Sequence, residues 1–262
     1  YDMPYVSNAV GLFEYAHSMP VEKSWTMIRR VLESLEQTIY QRDVRNADAK
    51  TIQAYVASKV TKNIEKIVTA KRLRGLQQYD TLIINGVEYP NLKAYEKYLT
   101  EDYLTKVFAN DTYAVIHGDM TIENIICTRN ELGQDDFYVI DPNTGNVHNS
   151  PNLDYAKLLQ SIHGGYEFLM TTKDVKVSEN KIDFLFTRSS AYLELHERFK
   201  AYLMEQFGAE RTRSIYFHEI VHWLRLMPYK IEKDGKRAVL FYAGLLMVLR
   251  DVIQTYAKED ER

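Results

Sequence analysis

Tyr113-Ala114-Val115-Ile116-His117-Gly118-Asp119-Met120-Thr121-Ile122-Glu123-Asn124-Ile125-Ile126-Cys127-Thr128, followed by Tyr138-Val139-Ile140-Asp141-Pro142, is the stretch on which the reading of this chain turns. The apolar runs at 113–116, 125–127 and 137–140 are short and rich in β-branched and aromatic residues, so they read as buried strands around a polar loop. The first strand delivers His117, Gly118 and Asp119 into that loop. The second takes up the chain directly after Asn124, and the third ends at Asp141. Polar groups are thereby presented at the ends of neighbouring strands, where a rigid scaffold commonly carries a functional site.

Working outward, the flanking sequence is mostly helical. Trp25, Ile28, Val31, Leu32, Leu35 and Ile39 recur at three- and four-residue steps with Arg29, Arg30, Glu33 and Glu36 between them, an amphipathic helix. Asp48 reads as the N-cap of a second helix through Ile52, Tyr55, Val56, Val60, Ile64 and Ile67, with a basic last turn at Lys71, Arg72 and Arg74 and a stop at Gly75. Thr81-Leu82-Ile83-Ile84, Asn85-Gly86 and Val87-Glu88-Tyr89 spell a β-hairpin over 81–89, since Asn-Gly is the strongest two-residue hairpin signal. A third helix is expected over 92–108. Beyond the turn-rich stretch 141–152 come a helix over 153–162, extended segments at 166–170 and 182–186, and helices near 188–207, 209–227 and 236–257. The expectation is one mainly helical α+β domain with short strands around the loop and an inserted hairpin.

Composition narrows the partners. The 262 residues hold 33 Lys plus Arg against 36 Asp plus Glu, 45% are hydrophobic, and Cys127 is the single cysteine. Disorder, collagen and disulfide scaffolds are excluded. A formal charge of −3 gives no global pull toward nucleic acid or anionic membrane, so neither is expected as a partner. The longest apolar stretch, 238–249, is shorter than the roughly 18–20 residues of a membrane helix. With one cysteine, a reduced, cytoplasmic setting is expected. Tyr1 stands where methionine would begin a chain, which implies an upstream part.

The chemistry that needs this loop is phosphoryl transfer: one carboxylate takes the proton of an attacking hydroxyl, while an amide oxygen and a second carboxylate hold Mg²⁺ on nucleotide phosphates. The spacing from Asp119 to Asn124 equals that of the protein-kinase catalytic loop, and Asp141 lies at a later strand end, where such an enzyme carries its metal-binding Asp. Glycine replaces the kinase arginine at 118. His117 to Ile126, then Ile140 to Pro142, and further on Asp154-Tyr155-Ala156-Lys157-Leu158-Leu159, resemble the aminoglycoside phosphotransferase and choline kinase superfamily of small-molecule kinases. Four fixed residues in eight positions arise by chance in roughly one chain in a thousand of this size.

The resemblance implies the C-terminal lobe of a protein-kinase-like fold. It makes Asp119 the catalytic base, His117 a brace of the loop, Asn124 and Asp141 the Mg²⁺ ligands, and Asp154 a structural support. The cofactors it implies are ATP and Mg²⁺, and the partner is a small-molecule hydroxyl acceptor, a sugar or related metabolite. Residues 1–8 resemble the hinge after the N-terminal lobe, with Met3 and Tyr5 near adenine. By the same likeness, residues 9–112 carry helices and the hairpin, 113–162 the catalytic and metal loops, and 163–262 the helical acceptor side. The phosphate-covering loop, strand lysine and paired glutamate of a complete kinase do not precede His117, so the N-terminal lobe of the same protein is an expected partner missing from this chain. The fragment alone is expected to be inactive or weak.

Competing readings exist. A non-catalytic kinase-like binding module fits the missing lobe. His218-Glu219-Ile220-Val221-His222 is a literal His-Glu-x-x-His, the motif of zinc hydrolases. No histidine follows His222 as a third ligand, and Tyr216, Ile220, Trp223 and Leu224 make its helix an ordinary core helix. The 20 tyrosines read as half-buried packing groups rather than a cation cage. Glu194, Glu197 and Glu219 suit a cationic acceptor, but on amphipathic helices such residues usually form a solvated face.

Overall fold

The computed structural model describes residues 8–187 and 189–257, and it is α+β with helix dominant. The hinge-like Met3 and Tyr5 lie outside the described residues. Strand β1 (Val10–Gly11) leads into helices α1 (Leu12–Ser18) and α2 (Val21–Gln37). α2 buries Met27, Ile28, Val31, Leu32 and Leu35 on one stripe and leaves Arg29, Arg30 and Glu33 exposed, as its spacing demands. After strand β2 (Arg45–Asn46), α3 (Ala49–Val56) starts at Asp48, whose carboxylate accepts the Thr51 N–H at 2.9 Å.

α3 continues through a π-helical turn, Ala57–Thr61, into α4 (Lys62–Val68). The helix ends there rather than at the expected basic turn, and Gly75 lies inside the short α5 (Arg74–Gln77). Side chains take the terminal carbonyls: the Thr69 hydroxyl donates to Glu65 O at 2.7 Å and the Gln77 amide to Ile67 O at 2.5 Å.

Strands β3 (Thr81–Ile84) and β4 (Val87–Pro90) form the hairpin, with Leu82 opposite Tyr89. Asn85 and Gly86 take φ of 49° and 79°, the pair of left-handed residues that a two-residue turn of this hand requires. The helix expected over 92–108 is instead a 3₁₀ segment, Leu92–Tyr98, and α6 (Glu101–Val107), divided at Thr100, whose hydroxyl accepts the Tyr103 N–H. β5 (Thr112–Tyr113) pairs with β2, so most of the strand expected over 113–116 is irregular chain.

β6 (Ile125–Arg129) and β7 (Asp135–Val139) pair antiparallel, with β1 on the other edge of β6. Helix α7 (Pro151–Ile162) follows, capped by the Ser150 hydroxyl. Residues 166–170, expected to be extended, form helix α8 (Tyr166–Thr171) after Gly165 at φ 69°. Leu169 of α8 is buried against Gly244, and that packing overrides the β preference of an aromatic run. β8 (Val175–Ser178) and β9 (Lys181–Phe184) then join the first hairpin in a four-stranded sheet of order β4-β3-β9-β8, with β3 and β9 parallel.

α9 (Ser190–Lys233) turns sharply at Gly208 (φ 72°, ψ 179°), which separates the two helices expected on either side. α10 (Gly235–Tyr256) is long and apolar enough to cross a membrane by length and composition, but most of its apolar stretch is buried inside the fold. With α7 and α9 it makes the centre of the core, around Trp223, Phe217, Phe241 and Tyr242.

Candidate phosphotransfer site

The site is built on the first turn of α7. Asp154 is fully buried, and its carboxylate accepts the backbone N–H of His117 at 2.8 Å, the N–H of Gly118 at 2.7 Å and the Tyr40 hydroxyl at 2.9 Å. Burial lifts its pKa to about 6 against the pull of those three donors. The ring of His117 ties the loop to the next strand: Nε2 donates to Ile140 O at 2.8 Å, and Nδ1 accepts the Asp119 N–H at 3.3 Å. The 117–124 loop and the strand end before Asp141 are therefore tied by the His117 imidazole.

Gly118 has φ 80°, and a Cβ there would land against the Asn143 carbonyl and the Asn146 amide. Only glycine fits where the two loops touch. Asn143 N–H donates to His117 O at 2.8 Å and the Asn146 amide to Gly118 O at 3.2 Å, closing the contact.

Asn124 donates through Nδ2 to Asp119 O at 2.8 Å, and its own carbonyl accepts the Ile140 N–H at 3.0 Å. Its amide oxygen has no hydrogen-bond partner among the described residues. Asp141 is exposed, lies in the left-handed region at φ 54°, and likewise offers its carboxylate without a partner. An amide oxygen and a carboxylate are the donor type that Mg²⁺ takes, one or two from protein with phosphate and water completing its shell.

Asp119 is 38% exposed, and its Oδ1 lies 3.0 Å from the Nζ of Lys157, which is 14% exposed. Lys157 stands one turn beyond Asp154 on α7. The sequence shows it within Asp154–Leu159 but not its role, because only the fold shows which way that turn faces. Burial pushes its pKa below the ordinary lysine value, with Asp119 opposing.

The His-Glu-x-x-His stretch does not converge on one point. His218 Nε2 donates to Asp111 Oδ2 at 2.7 Å, Glu219 accepts from His163 Nδ1 at 2.8 Å, and His222 Nε2 donates to Leu153 O at 3.0 Å. Glu219 is fully buried, unlike the exposed Glu194 and Glu197 with which it was expected to share a solvated face.

Asp111, His148 and His218 do bring three ligand-type atoms together, a cluster that sequence reasoning missed because its members are far apart in the chain. Both histidines donate from Nε2 to Asp111 Oδ2, at 2.8 and 2.7 Å, while Ser214 and Asn152 donate to Oδ1 at 2.6 and 2.8 Å. The Tyr113 and Tyr55 hydroxyls lie 3.2 and 3.1 Å from the two Nδ1 atoms. Every polar atom of the trio is paired, so a metal would have to displace bonds already made.

No family model, curated protein or solved structure matches the chain.

Proposed function

We propose that the chain is the catalytic lobe of an ATP- and Mg²⁺-dependent phosphotransferase acting on a hydroxyl of a small molecule, and that its fold is the C-terminal lobe of a kinase-like protein. The observation that carries the reading is the double anchor of the loop. Asp154 takes two successive N–H groups from one side, and the Asn124 amide clasps the Asp119 carbonyl from the other. The effect is to hold the Asp119 carboxylate part-exposed, on loops whose Asn124 amide oxygen and Asp141 carboxylate have no hydrogen-bond partner among the described residues.

In this reading Asp119 orients the acceptor hydroxyl and receives its proton, a role that the partial exposure of its carboxylate supports. His117 keeps the base loop in register with Asp141 by bonding Ile140 O. Asn124 and Asp141 would hold Mg²⁺, which when bound neutralises charge on the nucleotide phosphates. ATP would sit between this surface and an N-terminal lobe supplied by the rest of the protein.

The test is Mg²⁺-dependent ATP consumption by the protein with its natural upstream residues, run against sugars, amino alcohols and aminoglycosides. Acceptor-stimulated turnover that falls about a hundredfold to ten-thousandfold in Asp119→Ala is the expected result. Near-normal turnover in that variant would remove the assignment. No turnover and no nucleotide binding would favour a non-catalytic binding module.

A further inference from the structure

Helix α7 contacts the catalytic loop twice, and the second contact has no counterpart in the motif that marks the loop. Asp154 in its first turn fixes the backbone at His117 and Gly118. Lys157, three residues on and so on the same face, reaches Asp119 Oδ1 at 3.0 Å. Between Asp119 and Asn124 the loop reads Met120, Thr121, Ile122 and Glu123, with no cation of its own. Among the described residues, Lys157 is the one cation in ion-pair contact with Asp119.

The ammonium is the more buried member of the pair, so it lies behind the carboxylate and leaves the outer face open. Its other polar neighbour is Gln160 Oε1 at 3.4 Å, a long contact, while Gln160 Nε2 is buried without a partner. The Oδ2 of Asp119 has no hydrogen bond among the described residues. The carboxylate is thus gripped through one oxygen and presents the other.

Resting on the kinase reading above, we infer that Lys157 is the positioning residue of the catalytic base: it holds Asp119 by Oδ1 so that Oδ2 is aimed at the acceptor hydroxyl. α7 then sets both the height of the loop, through Asp154, and the rotation of the base, through Lys157. The groups that face the ammonium are Asp119 on the loop, Asp154 on its own helix, and Arg225 and His222 on α9. Burial disfavours its charge most, and Arg225 adds to that, while the two carboxylates favour it. Proton loss from Lys157 is therefore expected below the ordinary lysine value, and with it loss of the grip on Asp119.

Lys157→Met and Lys157→Arg in the full-length protein test this, with kcat and both KM values measured across neutral to alkaline pH. Lys157→Met should lower kcat about a hundredfold, the scale of a misplaced reacting group, with KM for ATP and acceptor within about threefold. Lys157→Arg should restore most of the rate. It should also abolish the alkaline fall of the unsubstituted enzyme, because guanidinium stays charged. A kcat within about threefold in Lys157→Met, or an alkaline fall unchanged in Lys157→Arg, would overturn the inference while leaving the kinase reading intact. If the unsubstituted protein shows no acceptor-stimulated turnover, the kinase reading falls and takes the inference with it. Should Lys157→Met fail to fold, the pH profile of Lys157→Arg decides alone.

Discussion

Asp119 and Asp111 lie eight positions apart and each has a histidine close by, yet their surroundings are opposite. Around Asp111 four donors meet two carboxylate oxygens, and the histidines are themselves backed by tyrosines. Burial there disfavours the charged carboxylate, but the two histidines outweigh it and hold the Asp111 pKa well below the usual range; His218 is pushed down to about 4 by its own burial. Around Asp119 the backbone is anchored, but one carboxylate oxygen, the Asn124 amide oxygen and the Asp141 carboxylate have no hydrogen-bond partner among the described residues. Matched donors and acceptors make a joint between elements; a rigid backbone carrying unmatched acceptors makes a site.

The contrast can be broken at several points, and the largest effect is expected at Asp111. Asp111→Ala strands four buried donors and should cost about 3–5 kcal/mol, seen as a lower urea midpoint with unchanged slope. A loss below about 1 kcal/mol would mean that the cluster is not a joint. Gly118→Ala comes next, since its Cβ meets the Asn143 carbonyl at a φ of 80°. It should cost about 1–3 kcal/mol and impair turnover together, because it separates the two loops.

A smaller effect sharpens the picture of the core. His163 lies between Glu219 at 2.8 Å and Asp251 at 2.7 Å. Burial works against its charge, but the two carboxylates prevail and hold its pKa up at about 9. Folded above its ordinary value near 6.5, it contributes stability that is complete below about pH 6.5 and is lost as pH rises through about 9. Melting temperatures should fall over that interval, and His163→Phe should flatten the fall. An unchanged slope would show the pair to be uncharged.

The strands after Asn124 and before Asp141, the hairpin and the start of α3 were legible because short-range patterns govern them: β-branched runs, the Asn-Gly turn and Asp48 as a cap. Elements whose form depends on distant packing were not. Residues 166–170 carry a strand-like aromatic run, but Leu169 is drawn against α10 and the segment closes into a helix. The Asp111 joint is assembled from residues 111, 148, 152, 214 and 218, with no local spacing to betray it. Lys157 was visible as a residue and invisible as a contact, since the direction of its helical turn is fixed by how α7 lies on α9.

That Asp119 is a base held ready for phosphoryl transfer, as proposed, is tested most directly by steady-state turnover of the protein and its Asp119→Ala variant with Mg²⁺, ATP and the acceptor panel. A hundredfold or greater loss of kcat, with melting temperature and nucleotide binding retained, is the result predicted here. Equal turnover in the two proteins, or equal silence with no nucleotide bound by either, would contradict it.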